Sequence, residues 1–142
     1  MMTNLKKSLN LLSLWLPVLL YMGLIFYLSD QPDLPQPKLE IPHLDKLAHL
    51  ILYAGLGCLL YRAGYFSWGS SPRLTWYVML IVVLYGVSDE IHQSFVPSRS
   101  PDAFDVLFDG LGGLVATKVI PLQRLMTSKP GSLLRFLFLT NE

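Results

Sequence analysis

Between Leu11 and Leu28 the chain runs for 18 residues without a charge. An α-helix rises about 1.5 Å per residue and a bilayer's hydrocarbon core is about 30 Å thick, so this run is sized to cross it. Lys6 and Lys7 precede it, as they would precede a secretory signal. Yet a signal core is usually about 7–15 residues long. No small-x-small cleavage site precedes Ser29-Asp30-Gln31-Pro32 either. The segment therefore reads as a retained transmembrane helix, and the rest of the chain is read with lipid as its solvent.

Composition agrees. The 142 residues are 52% hydrophobic and 15% charged, with a mean hydropathy of +0.45. Ordinary soluble domains carry about 25% charged residues. A net charge of +1 and the lack of a basic motif give nucleic acid nothing to recognise. The one cysteine, Cys58, lies in an apolar run and has no partner for an internal disulfide.

Four helices fit the hydropathy: Leu9–Leu28, Asp45–Tyr61, Leu74–Phe95 and Asp102–Ile120. The expected fold is all-α, an integral membrane four-helix bundle over residues 1–120, followed by a tail, 121–142. Pro32, Pro35, Pro37 and Pro42 keep the first connection out of helix. In the tail, Leu133–Leu139 is too short to span and suits the inner membrane surface. With both termini cytoplasmic, eight basic residues lie inside and only Lys38, Lys46 and Arg99 outside, as the positive-inside rule asks. All acids except Glu142 then gather at the outer side. The expected location is the inner or plasma membrane.

Those acids lie mainly in Gly86–Gly113, between apolar runs. This stretch holds Asp89, Glu90, His92, Gln93, Arg99, Asp102, Asp105 and Asp109. A charge in hydrocarbon costs about 2.5–3.5 kcal/mol even on insertion scales, so such residues face inward or toward water. Asp45 and His49 share a helix face, with Tyr53 a turn further on. Asp45 either caps its helix or orients the imidazole, whereas His49 is favoured as functional. Glu90 and Gln93 share a stripe with Gly86, which allows close helix approach. Asp89 and His92 read as interfacial residues meeting water. Ser100, Pro101 and Asp102 suit the cap, first position and first turn of the last helix. Arg99 either neutralises the acids or holds an anion. Asp105 and Asp109, one turn apart, need a counter-charge, a metal or a shared proton. Gly112 and Gly113 read as packing residues.

These residues carry a resemblance. Asp45-Lys46-x-x-His49, Asp89-Glu90-x-x-Gln93, then Arg99 and an acid with glycine on the last helix resemble the VanZ-like family of small membrane proteins, over about Leu12–Ala116. The resemblance carries Asp45, Lys46, His49, Tyr53, Asp89, Glu90, Gln93, Arg99, Asp105 and Gly112. The family often has Gly where Ser98 stands, and either Asp or Asn where Asp109 stands. Its namesake is linked to low-level resistance to the glycopeptide teicoplanin, which implies an activity near the cell envelope.

The expected function is an outward-facing polar site for an amphiphile, a lipid-linked envelope precursor or a lipid head group. His49, Glu90 and Asp105 are the candidate catalytic groups, with Asp45 and Gln93 beside them. Lys46, Arg99, Tyr53 and Asp109 are the candidate binding groups. His49, Glu90, Arg99 and Asp105 are expected to meet in one pocket. Imidazole and carboxylates also suit a divalent metal such as zinc or manganese. Whether chemistry occurs stays open, because a non-enzymatic accessory protein with a satisfied polar network is the alternative. A proton pathway ranks last, since Tyr77–Leu84 and Leu114–Ala116 offer no ionisable trail.

Overall fold

The computed structural model describes residues 2–32 and 43–127, with side chains from 11 to 32 and from 43 to 119. Four helices make up the described residues: α1 (Met2–Ser29), α2 (Leu44–Trp68), α3 (Pro72–Gln93) and α4 (Ala103–Thr127). No strand occurs among them. Three helices are long and apolar enough to cross a membrane: Leu11–Ser29 within α1, then α2 and α3. At 25 residues, α4 is roughly 37 Å long, matching the others in reach.

Local chemistry marks the helix ends. α2 stops where Gly69 adopts φ 85° and returns its N–H to Tyr65 O at 2.8 Å. That positive φ suits glycine, which lacks a Cβ. α3 begins three residues later, with Ser71 Oγ accepting from the Arg73 N–H at 3.2 Å and Pro72 in the first turn. α2 thus runs past Tyr61, where the expected helix ends. Arg62 lies within the helix, and Ala63 and Gly64 are buried on it. α4 likewise continues past Ile120 to Thr127, while Leu133–Leu139 lies outside the described residues.

The pairings define an up-down-up-down bundle. α2 and α4 run parallel and make the most extensive contact. Their partners advance together, from Lys46 with Asp105 and His49 with Asp109 to Gly57 beside Ala116. α1 lies antiparallel to α2, with Trp15 Nε1 donating to Ser67 Oγ at 3.0 Å. α3 runs parallel to α1, with Tyr85 Oη donating to Met22 O at 2.6 Å. The core between them holds Val18, Ile25, Tyr53, Leu56, Leu60, Val78 and Val82. Leu12, Leu19, Leu20, Trp76, Leu80, Leu84 and Leu107 all point outward and are exposed. An apolar exterior around a partly polar interior is the pattern expected where lipid is the solvent.

Gly112 sets the closest approach of α4 to α2. A Cβ there would meet Leu50 O and lie 2.7 Å from Ala54 N, both backbone atoms that cannot rotate away. We expect Gly112→Val to separate the helices and destabilise the protein by about 1–3 kcal/mol, the usual cost of overpacking. Gly23→Val, where nothing lies within 4 Å of the added Cβ, should cost less than about 1 kcal/mol. Thermal unfolding in detergent compares the two.

Candidate functional site

Antiparallel neighbours bring the last turns of α1 and α3 beside the first turns of α2 and α4. The ionisable residues meet at this end. Lys46 leaves the first turn of α2 and reaches across to α4. Its Nζ lies 2.8 Å from Asp105 Oδ1, 2.6 Å from Asp102 Oδ2 and 3.0 Å from Asp45 Oδ2. One ammonium thus serves three carboxylates. One turn deeper, His49 Nδ1 lies 2.9 Å from Asp109 Oδ1, and its Nε2 lies 4.0 Å from Asp105 Oδ2. Asp109 is fully buried against Gly86, where any Cβ would collide with its Oδ2. The glycine on α3 therefore makes the space that an acid on α4 occupies.

Glu90 enters from α3. Its Oε2 accepts the Asp102 N–H at 2.7 Å, tying α3 to the start of α4. Asp102 in turn caps α4, its Oδ1 accepting from the Phe104 N–H at 2.8 Å. The cap is Asp102, not Ser100, and α4 begins at Ala103. Lys46, followed by the Phe104 N–H, holds the Asp102 carboxyl below its ordinary range. The stability this contributes is present above that ordinary value and is lost as pH falls through the depressed one.

Not every sequence candidate joins the cluster. Arg99 donates from Nε to Gln31 O at 3.1 Å and from Nη2 to Leu28 O at 3.3 Å. It satisfies carbonyls at the C-terminal end of α1, where a cation also complements the helix dipole. The expected meeting of Arg99 with His49, Glu90 and Asp105 is therefore corrected, and so is its reading as neutraliser of the acids. Ser98, just before it, takes φ 67°. Glycine reaches that conformation more cheaply. Asp45 is largely exposed and pairs with Lys46, so the acid on His49 Nδ1 is Asp109. Asp89 is buried rather than meeting water, and accepts from Gln93 Nε2 at 3.3 Å. Gln93 Nε2 also lies 3.5 Å from Ser29 Oγ. His92 stacks on Phe26 with ring centroids 4.2 Å apart, its Nε2 3.3 Å from Asp30 Oδ1. The ring of Tyr53 lies parallel to His49 at 6.1 Å. Sequence reasoning took Lys46 as a binding group, and the structure engages it with three carboxylates from one turn before His49.

Two buried carboxylate oxygens beside His49 have no hydrogen-bond partner among the described residues: Glu90 Oε1 and Asp109 Oδ2. Buried polar groups are nearly always paired, and an unpaired one costs about 1–3 kcal/mol. His49, Glu90 and Asp105 each offer one donor atom, and these atoms lie within 4.8 Å of one another. The arrangement can accept protons, orient a polar head group or ligate a cation.

Removing Lys46 strands carboxylates. We expect Lys46→Met to cost about 2–3 kcal/mol, less than the ~3–5 of a fully buried ion pair, because the Asp102 side chain is 40% exposed. The Lys46→Met/Asp105→Asn double variant should lose less than the sum of the two single losses. A double-mutant cycle on unfolding in detergent measures the coupling.

Comparison with known proteins gives a single assignment. No curated protein and no solved structure matches the chain. A sequence model of the VanZ/LLP1 family matches residues 10–124, which run from within α1 to the last turn of α4. This small helical membrane protein belongs to the VanZ/LLP1 family.

Proposed function

We propose that this protein binds or processes an amphiphilic envelope molecule, a lipid-linked precursor or a lipid head group, at the outer leaflet of the plasma membrane. The observation that carries the reading is the unpartnered pair Glu90 Oε1 and Asp109 Oδ2, beside His49 at one end of the bundle. A purely structural network would be expected to satisfy its own members, since partial satisfaction is costly at low dielectric. Unused acceptors beside an imidazole instead suit a visiting polar group.

In this reading α4 is a fourth span and both termini are cytoplasmic. The cluster then faces outward, where a head group reaches it while its tails lie along the apolar surface of the bundle. Eight of the eleven basic residues fall inside under this orientation. His49, Glu90 and Asp105 handle protons or orient the head group, and Lys46 contacts its anionic part. The competing reading, a non-enzymatic accessory protein, draws on the bridges from Lys46 to Asp105 and from Glu90 to the Asp102 N–H, which join α2, α3 and α4.

Orientation is tested by single cysteines in a Cys58→Ala background. Ser98→Cys should label from outside intact cells and Ser70→Cys should not; the reverse pattern rejects an outward-facing site. Function is tested with Glu90→Gln and Asp105→Asn. Both are expected to stay folded and inserted while losing any change in teicoplanin susceptibility that the wild-type chain confers. Folded variants with the full wild-type effect would reject the site. Joint loss of stability and effect would favour the structural network.

A further inference from the structure

The cluster has more buried negative charge than its own cation balances. Asp89, Glu90, Asp105 and Asp109 are 4%, 7%, 6% and 0% exposed. Among the described residues the fixed cation that reaches any of them is Lys46, which also serves Asp45 and Asp102, and His49 adds a charge only when protonated. Arg99 is engaged with α1 carbonyls. Carboxylates at this depth are expensive unless a counter-charge meets them.

His49 is held as metal-ligating histidines are held. Asp109 Oδ1 sits 2.9 Å from Nδ1, which leaves Nε2 directed toward Asp105 Oδ2 at 4.0 Å. A carboxylate on one ring nitrogen fixes the tautomer that frees the other to ligate. Glu90 supplies an independent observation: it is more than nine-tenths buried, and its Oε1 has no partner. One donor each from His49, Glu90 and Asp105 lies within 4.8 Å of the others. Ligand bonds to zinc are about 2.0–2.2 Å, which puts ligand atoms roughly 3.4 Å apart. Small side-chain rotations close that gap.

We propose that His49 Nε2, Glu90 and Asp105 form a three-ligand site for a divalent transition-metal cation, zinc or manganese, with Asp109 as the positioning residue behind the imidazole. The imidazole favours these ions over magnesium and calcium, which prefer oxygen alone. Three protein ligands leave a coordination position open to water or to an oxygen donor arriving from the membrane surface. Lys46, on Asp105 Oδ1 at 2.8 Å, is the cation that such an ion displaces or joins. The site shares residues with the proposed function but does not depend on which envelope molecule, if any, is bound.

The full chain, purified in detergent and stripped with a chelator, is titrated with zinc alone against a chromophoric competitor. One zinc per chain is expected. Glu90→Gln and Asp105→Asn should each weaken binding at least about tenfold, and Asp109→Asn by about 10–100-fold, as the loss of a residue behind a ligand does. Asp30→Asn, an exposed acid beside His92, should leave binding unchanged. Zinc should also raise the melting temperature of Lys46→Met more than that of the wild-type chain, because the ion replaces the missing positive charge. Where a ligand variant fails to fold, X-ray absorption at the zinc edge of the wild-type protein decides, with one imidazole and oxygen ligands expected. No bound zinc, a shell without imidazole, or affinity indifferent to all three acids overturns the site. Zinc binding without any effect of Glu90→Gln on susceptibility would sink the proposed function and leave the ion site standing. The reverse pair of results would sink the ion site alone.

Discussion

The bond between Lys46 and Asp105 sits where two opposing demands meet. An ammonium and a carboxylate are each costly among apolar helices, and each becomes tolerable only beside the other. Their meeting requires α2 and α4 to run parallel and very close. Gly112 against the backbone of Leu50 and Ala54 allows that approach, and Gly57 beside Gly113 and Ala116 continues it. The small residues and the charges are therefore parts of one solution. Close backbones bring Asp105 within reach of Lys46 and Asp109 within reach of His49, and those contacts draw the same helices together.

α3 adds the third wall through a glycine and an acid. Gly86 makes room for Asp109, and Glu90 binds the N–H of the residue that caps α4. α1 makes its own contacts with α3, through Phe26 on His92 and Met22 O with Tyr85, and receives Arg99 at its end. The polar interior is thus built by α2, α3 and α4, while α1 braces it from one side.

Much of this was legible in the sequence, and the failures share a cause. Uncharged runs and proline breaks reveal four helices because hydropathy and backbone restriction act locally. Helical spacing also places Gly86, Glu90 and Gln93 on one stripe, and the structure buries all three. Spacing pairs residues within one helix, so it coupled His49 to Asp45, whereas packing couples it to Asp109, 60 residues away. Charge matching sent Arg99 to the acids, but the unpaired carbonyls ending α1 are equally good partners and are invisible to a count of charges. The expected end of α2 at Tyr61 falls short, since Arg62 lies within the helix. Tyr61, Ala63 and Gly64 are buried around it, and the helix breaks only where Gly69 takes a positive φ.

The parallel pairing of α2 with α4 bears on how the protein is made. Lys46 emerges from the ribosome 59 residues ahead of Asp105. At about 5–20 residues per second that is an interval of roughly 3–12 seconds. During it Lys46, joined by Glu90 for the last 15 residues, must be held in or near the bilayer without the helix that completes its surroundings. The final helix is therefore the step that turns three poorly matched segments into a bundle. A chain cut short before α4 would leave its charges facing lipid, the kind of defect that cellular quality control can recognise.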